Sequence, residues 1–148
     1  LDGVDVPMRP SLLPFAPWET LEGYLDLLRW VAERDLIGCV DPVMLSIRLL
    51  VPPGSSLLAE PDTAAWLGEL DAANFTYRWA HPDPRMDALQ REVAAICADG
   101  AAANETAPET FGRIWAAAFA AAGRPEEPIP IPPTRRPPVP RLTETWFC

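Results

Sequence analysis

At 148 residues, a net charge of −9, a pI near 4.5 and 49 % hydrophobic residues, the chain suits one domain with a modest core, because its last quarter is too rich in proline to contribute. The acidity argues against a nucleic-acid-binding or anionic-membrane surface. No run approaches the roughly 20 apolar residues of a membrane span and no basic-then-apolar leader opens the chain, so the expectation is a cytoplasmic protein. Three cysteines, Cys39, Cys97 and Cys148, are odd in number and far apart. That pattern fits reduced thiols rather than a disulfide framework or a CxxC metal knuckle.

Residues 1–10 start at Leu1 and carry neither a cap nor a clear period, and the chain is expected to be a piece of a longer protein. Residues 11–15 are a short apolar run closed by Ala16-Pro17-Trp18-Glu19-Thr20, which predicts a buried strand ending in a turn. A helix is predicted next. Leu21, Tyr24, Leu25, Leu28, Val31 and Ala32 recur at the spacing of one helical face, Thr20 offers an N-cap, and Gly38 lies beyond the end. Residues 43–51 are nearly continuous in apolar character apart from Ser46 and Arg48, and lie between Asp41-Pro42 and Pro52-Pro53-Gly54, which predicts a strand covered on both faces. Strand, helix and strand in this order form a βαβ unit, whose parallel pair needs further strands at its edges.

Asp62 and Thr63 predict a short capped helix through Leu70. Asp83-Pro84 opens another, carrying Met86, Leu89, Val93, Ile96 and Cys97 and closed by Gly100. Thr106-Ala107-Pro108-Glu109 is a capping box ahead of the stripe Phe111, Ile114, Trp115, Ala118, Phe119 and Ala122, with Gly123 as the terminating residue. From Arg124 the segment RPEEPIPIPPTRRPPVP has proline at eight of seventeen positions. This forbids helix and central strand and predicts an extended polyproline II arm reaching about 50 Å. The residues RLTETWFC follow.

Two stretches resemble a known family. LLPFAPWETLEGYLDLLRWV resembles the strand, proline-containing turn, Glu-Thr and helix of radical S-adenosylmethionine (radical SAM) enzymes, with Trp18 where glycine is common. IRLLVPPGSSLL resembles the next strand and its Pro-Gly-Ser turn. WFC after a proline-rich segment resembles the CUAEP/CCAEP-tail radical SAM proteins, whose tail reads Cys, then Cys or selenocysteine, then Ala-Glu-Pro. Selenocysteine is encoded by UGA, which routine translation reads as a stop, so the expectation is a selenocysteine codon after Cys148.

The resemblance implies an α/β fold. Residues 1–58 would be the last βα elements of a partial, TIM-like barrel, 59–123 a mainly helical extension, 124–140 a disordered proline-rich linker arm and 141–148 a truncated cysteine-containing tail. It further implies a parent enzyme that reductively cleaves S-adenosylmethionine with a [4Fe–4S] cluster, and a cobalamin-binding-like domain before the barrel. The substrate would be an unknown small molecule or peptide, and the missing N-terminal barrel would be the chain's partner. The three closely spaced cluster cysteines are absent here, so this chain is expected to be inactive in radical chemistry alone and to hold no metal itself.

Three residues are candidates for chemistry. Cys148 is read as half of a vicinal thiol–thiol or thiol–selenol pair that forms a redox couple, binds a metal or attacks an electrophile, against the plainer reading of an ordinary terminal cysteine. Arg48, charged among apolar residues, is read as facing a cavity and contacting a carboxylate of S-adenosylmethionine or substrate; the plainer reading pairs it with a nearby acid. Ser46 would share its strand face. His81, in Trp79-Ala80-His81-Pro82-Asp83-Pro84, is read as structural, and Cys39 and Cys97 as small buried hydrophobes. Among the six tryptophans, Trp115 is read as packing on its helix. The competing functional reading is a free-standing helical interaction module whose proline arm docks in a partner's aromatic-lined groove.

Overall fold

The structure, a computed structural model, describes residues 9–132. Helix α1 spans Leu21–Glu33, and its start follows from Thr20, whose hydroxyl accepts the N–H of Gly23 at 3.0 Å. The predicted face, Leu21, Tyr24, Leu25, Leu28, Val31 and Ala32, is the buried one. Asp35 ends the helix in the left-handed region at φ 54°, letting Leu36 N–H bond to Val31 C=O at 2.9 Å.

The predicted strand over 43–51 is only half extended. Asp41-Pro42 starts a helical turn instead, with the Asp41 carboxylate accepting the N–H of Val43, so Pro42–Leu45 form a 3₁₀ turn and Ser46 its C-cap. Past that turn the backbone runs extended beside residue 15. Phe15 and Arg48 make one isolated parallel bridge, with Phe15 N–H bonded to Ile47 C=O at 3.2 Å and Leu49 N–H to Phe15 C=O at 2.8 Å. Helix α1 joins the two sides of this bridge, but neither 11–15 nor 43–51 forms a strand, so the predicted βαβ unit is corrected to a single parallel bridge.

The helix predicted over 62–70 is corrected. Pro61–Ala65 make a 3₁₀ turn, and then β1 (Leu67–Asp71) pairs antiparallel with β2 (Thr76–Trp79), Leu67 opposite Trp79 and Asp71 opposite Thr76, with an irregularity between Leu67 and Leu70. Gly68 suits a strand here better than a helix: a Cβ on it would sit 3.1 Å from the Arg78 carbonyl oxygen across the hairpin. Asp71 secures the loop by accepting the Asn74 N–H and two bonds from Arg78. β2 is also tied to the extended run, through Tyr77 N–H on Val51 C=O at 2.8 Å. The described residues therefore have mixed α/β character, with helices and a small two-stranded sheet.

Helix α2 runs Pro84–Ala102 from the Asp83 cap, and α3 runs Ala107–Ala121 from the Thr106–Glu109 capping box. Gly100 does not end α2 as predicted. It lies inside the helix where α3 approaches, and a Cβ on it would fall 2.6 Å from Thr110 Oγ1. Gly123, at φ 66°, follows α3 as expected. The three helices pack one core, with Leu25, Leu28, Val31, Leu89, Val93, Ile114, Trp115 and Phe119 all fully buried or nearly so.

The arm assigned to 124–140 is not free from its first residue. The indole N–H of the fully buried Trp115 donates to Glu127 C=O at 2.7 Å, and Ile129 packs against the core. Arg124 bridges Glu22 at 2.7 Å and Glu127 at 2.9 Å, while Arg29 reaches Glu127 from α1 at 3.3 Å. A buried indole donor needs an acceptor, and α3's own carbonyls are taken by the helix, so the chain after α3 folds back to supply one. Residues 124–129 thus form a strap across α1 and α3.

Candidate functional site

An open groove of about 400 Å³ lies between the extended run 48–50, β2 and the N-terminal half of α2. Each wall follows from local structure. Trp79 closes β2 and turns its indole N–H onto Leu49 C=O at 2.8 Å. On α2, Asp87, Gln90 and Arg91 stand three and four positions apart and so share the face beside the core stripe. Tyr77 and Arg78 complete the opposite wall.

Arg48 is the centre of this groove. Its guanidinium lies 3.5 Å from the centroid of the Trp79 ring, donates to Asp87 Oδ1 at 2.6 Å and donates to Trp79 C=O at 2.7 Å. Stacking on the indole while bonding a carboxylate in the ring's margin uses the flat cation in both of its modes at once. The second Asp87 oxygen accepts the His81 N–H at 3.0 Å, so one carboxylate joins the extended run, the loop after β2 and α2.

His81 extends this polar tie to α1. Nδ1 of His81 lies 2.9 Å from the Asp83 N–H and 3.0 Å from the Asp83 C=O, and Nε2 lies 2.8 Å from the Glu19 C=O. Both ring nitrogens are occupied by backbone, so the ring braces two loops.

Ser46 does not share a face with Arg48, because it caps a 3₁₀ turn rather than continuing a strand. Its hydroxyl donates to Val43 C=O at 2.8 Å, and its carbonyl accepts the Gln90 side-chain amide at 3.1 Å. Cys148 lies outside the described residues, as does the tail over 141–148. The residues that sequence reasoning missed are Trp79 and Asp87. The alternating Thr76-Tyr77-Arg78-Trp79 was a strand signal that would have placed Trp79 on a sheet; nothing in the spacing linked Asp87 to an arginine 39 positions earlier.

A [4Fe–4S] cluster is held by thiolates, which gives a test of fit. Cys39 and Cys97 are both buried, and Cys97 donates its S–H to Pro42 C=O at 3.2 Å. Burial, reinforced by the charge of Asp41, pushes the Cys97 thiol up to about 11, opposite to the shift a ligand thiolate needs. Among the described residues no three His, Cys, Asp or Glu side chains converge as metal ligands. These residues do not fit such a cluster.

No helix among the described residues is long and apolar enough to cross a membrane. Compared with protein-family models, curated proteins and solved structures, the chain matches none.

Proposed function

We propose that this chain supplies the C-terminal part of a radical SAM enzyme, with the last βα elements of its partial barrel over residues 1–58. The reading is carried by one observation: the parallel bridge between Phe15 and Arg48, joined through α1, in stretches that resemble that family's closing strands. So short a parallel contact is consistent with a pair that takes its remaining strands from elsewhere. The [4Fe–4S] cluster, S-adenosylmethionine cleavage and any cobalamin site would belong to residues outside this chain, since Cys39 and Cys97, the described cysteines, do not fit a cluster. Within this reading Arg48 is the contact for a carboxylate of S-adenosylmethionine or substrate, which would compete with Asp87 for the guanidinium, and Ser46 is an auxiliary polar group. Cys148 is the redox-capable thiol of the tail. Sequencing the genomic DNA on both sides tests the reading. Upstream codons for three closely spaced cysteines, with UGA and then Ala-Glu-Pro codons after Cys148, are expected; an upstream frame without the cysteines overturns it.

A second reading, a helical interaction module with a partner-binding arm, is favoured by a different observation. The helical core closes on itself, and among the described residues every buried side-chain nitrogen or oxygen has a partner. A single cooperative thermal transition of this chain is expected on that reading; a molten ensemble with exposed apolar surface would count against it.

A further inference from the structure

The strap leads into a segment with unusual constraints. Every residue from Glu127 to Pro132 is either proline or directly precedes one. Proline fixes φ near −65° and disfavours the helical region for its predecessor, so both classes are confined to extended backbone of polyproline II type. No helix or strand occurs over these residues. A polyproline II helix repeats every three residues, and exposure here follows that period. Pro125, Pro128 and Ile131 are exposed, Ile131 at 84 %, while Arg124, Glu127 and Pro130 on a second row are half-buried against the body.

We infer that Pro125, Pro128 and Ile131 form a docking ridge for a protein domain whose groove is lined with aromatic side chains. The ridge is apolar and faces away from the core, which suits a shallow groove that takes alternate prolines of a polyproline II ligand. Its backbone is fixed in advance by proline and by the Trp115, Arg29 and Arg124 contacts to Glu127, which lowers the ordering cost of binding.

This inference rests on the second reading above, in which the arm recruits a partner. Its test is calorimetric titration of the whole chain against purified SH3, WW and EVH1 domains, which read polyproline II ligands through aromatic grooves. Wild type is compared with Ile131→Asp and with Pro128→Asp, and thermal melts check that the exposed substitutions leave the fold intact. At least one domain is expected to bind, and each variant is expected to weaken that binding about tenfold at an unchanged melting temperature. Equal binding of wild type and Ile131→Asp overturns the ridge while leaving recruitment by the arm standing. No binding by any domain overturns both. Self-association of the chain that Ile131→Asp abolishes makes a second copy the occupant, and overturns the inference as well.

Discussion

Residues 15–45 and 86–119 meet through apolar side chains, with Leu28, Val31, Leu89, Ile114 and Trp115 in one buried cluster. Residues 46–85 contribute none to that cluster and join its segments through polar ties: Arg48 on Asp87, Gln90 on Ser46 and His81 on Glu19. The hairpin leaves Leu70 and Phe75 exposed, and Phe75 sits at φ 52°, a conformation a bulky side chain rarely adopts. The contrast separates two sources of order. Apolar packing is cooperative and tolerates the loss of one contact. A lattice of single hydrogen bonds gives way locally when one partner is removed.

The sharpest break is expected inside the cluster. Trp115→Ala removes the largest fully buried side chain together with its bond to Glu127, and should cost about 3–5 kcal/mol, read as a lower midpoint in denaturant with the whole molecule unfolding together. Next comes the strap. Ending the chain after Gly123 leaves the buried Trp115 N–H without its acceptor and uncovers the surface under Ile129, for a loss of about 1–3 kcal/mol. A chain ending at Glu127 should lose less, and equal stability of the two truncations would remove the strap from the folded unit. This matters for any test of independent folding, since a truncation at 123 is weakened whether or not barrel strands are missing.

The polar region should respond differently. Asp87→Ala strips Arg48 and the His81 N–H of one shared acceptor, and is expected to cost about 1–2 kcal/mol. Amide exchange should accelerate over 47–51 and 76–81 while α3 keeps its protection; uniform acceleration would mean that the two regions are one cooperative unit. The smallest effect concerns pH. The Cys97 thiol is raised to about 11 by burial, above its ordinary value near 9, so folding favours its protonated form. That contribution is complete below about pH 9 and is lost as pH rises through about 11. Cys97→Ala should flatten this part of the stability profile, and an unchanged alkaline slope would assign it to other groups.

The same division explains what could be read from the residues alone. α1 and α3 were legible because their apolar stripes keep the helical period and Thr20 and Thr106 announce their starts. Gly100 misled because a close helix approach and a helix stop favour the same residue. The hairpin was not legible as such: Asp62 and Thr63 look like a helix cap, while the strand character of β1 depends on Gly68 lying against Arg78 across the loop. In the groove, Arg48 stood out as a charge in an apolar run, but its stacking on Trp79 and its bond to Asp87 depend on how β2 and α2 are placed, which no local spacing encodes. The strap was hidden for a similar reason, because proline content reports backbone freedom and says nothing of a distant indole in want of an acceptor.

The strap also sets the timing of synthesis. Glu127 lies 98 positions after Arg29, and α3, which covers much of the same surface of α1, precedes it only slightly. At a ribosomal rate of about 5–20 residues per second, the apolar face of α1 would wait roughly 5–20 s for its cover. During that interval Leu25, Leu28 and Val31 are the surface that a nascent-chain chaperone would meet.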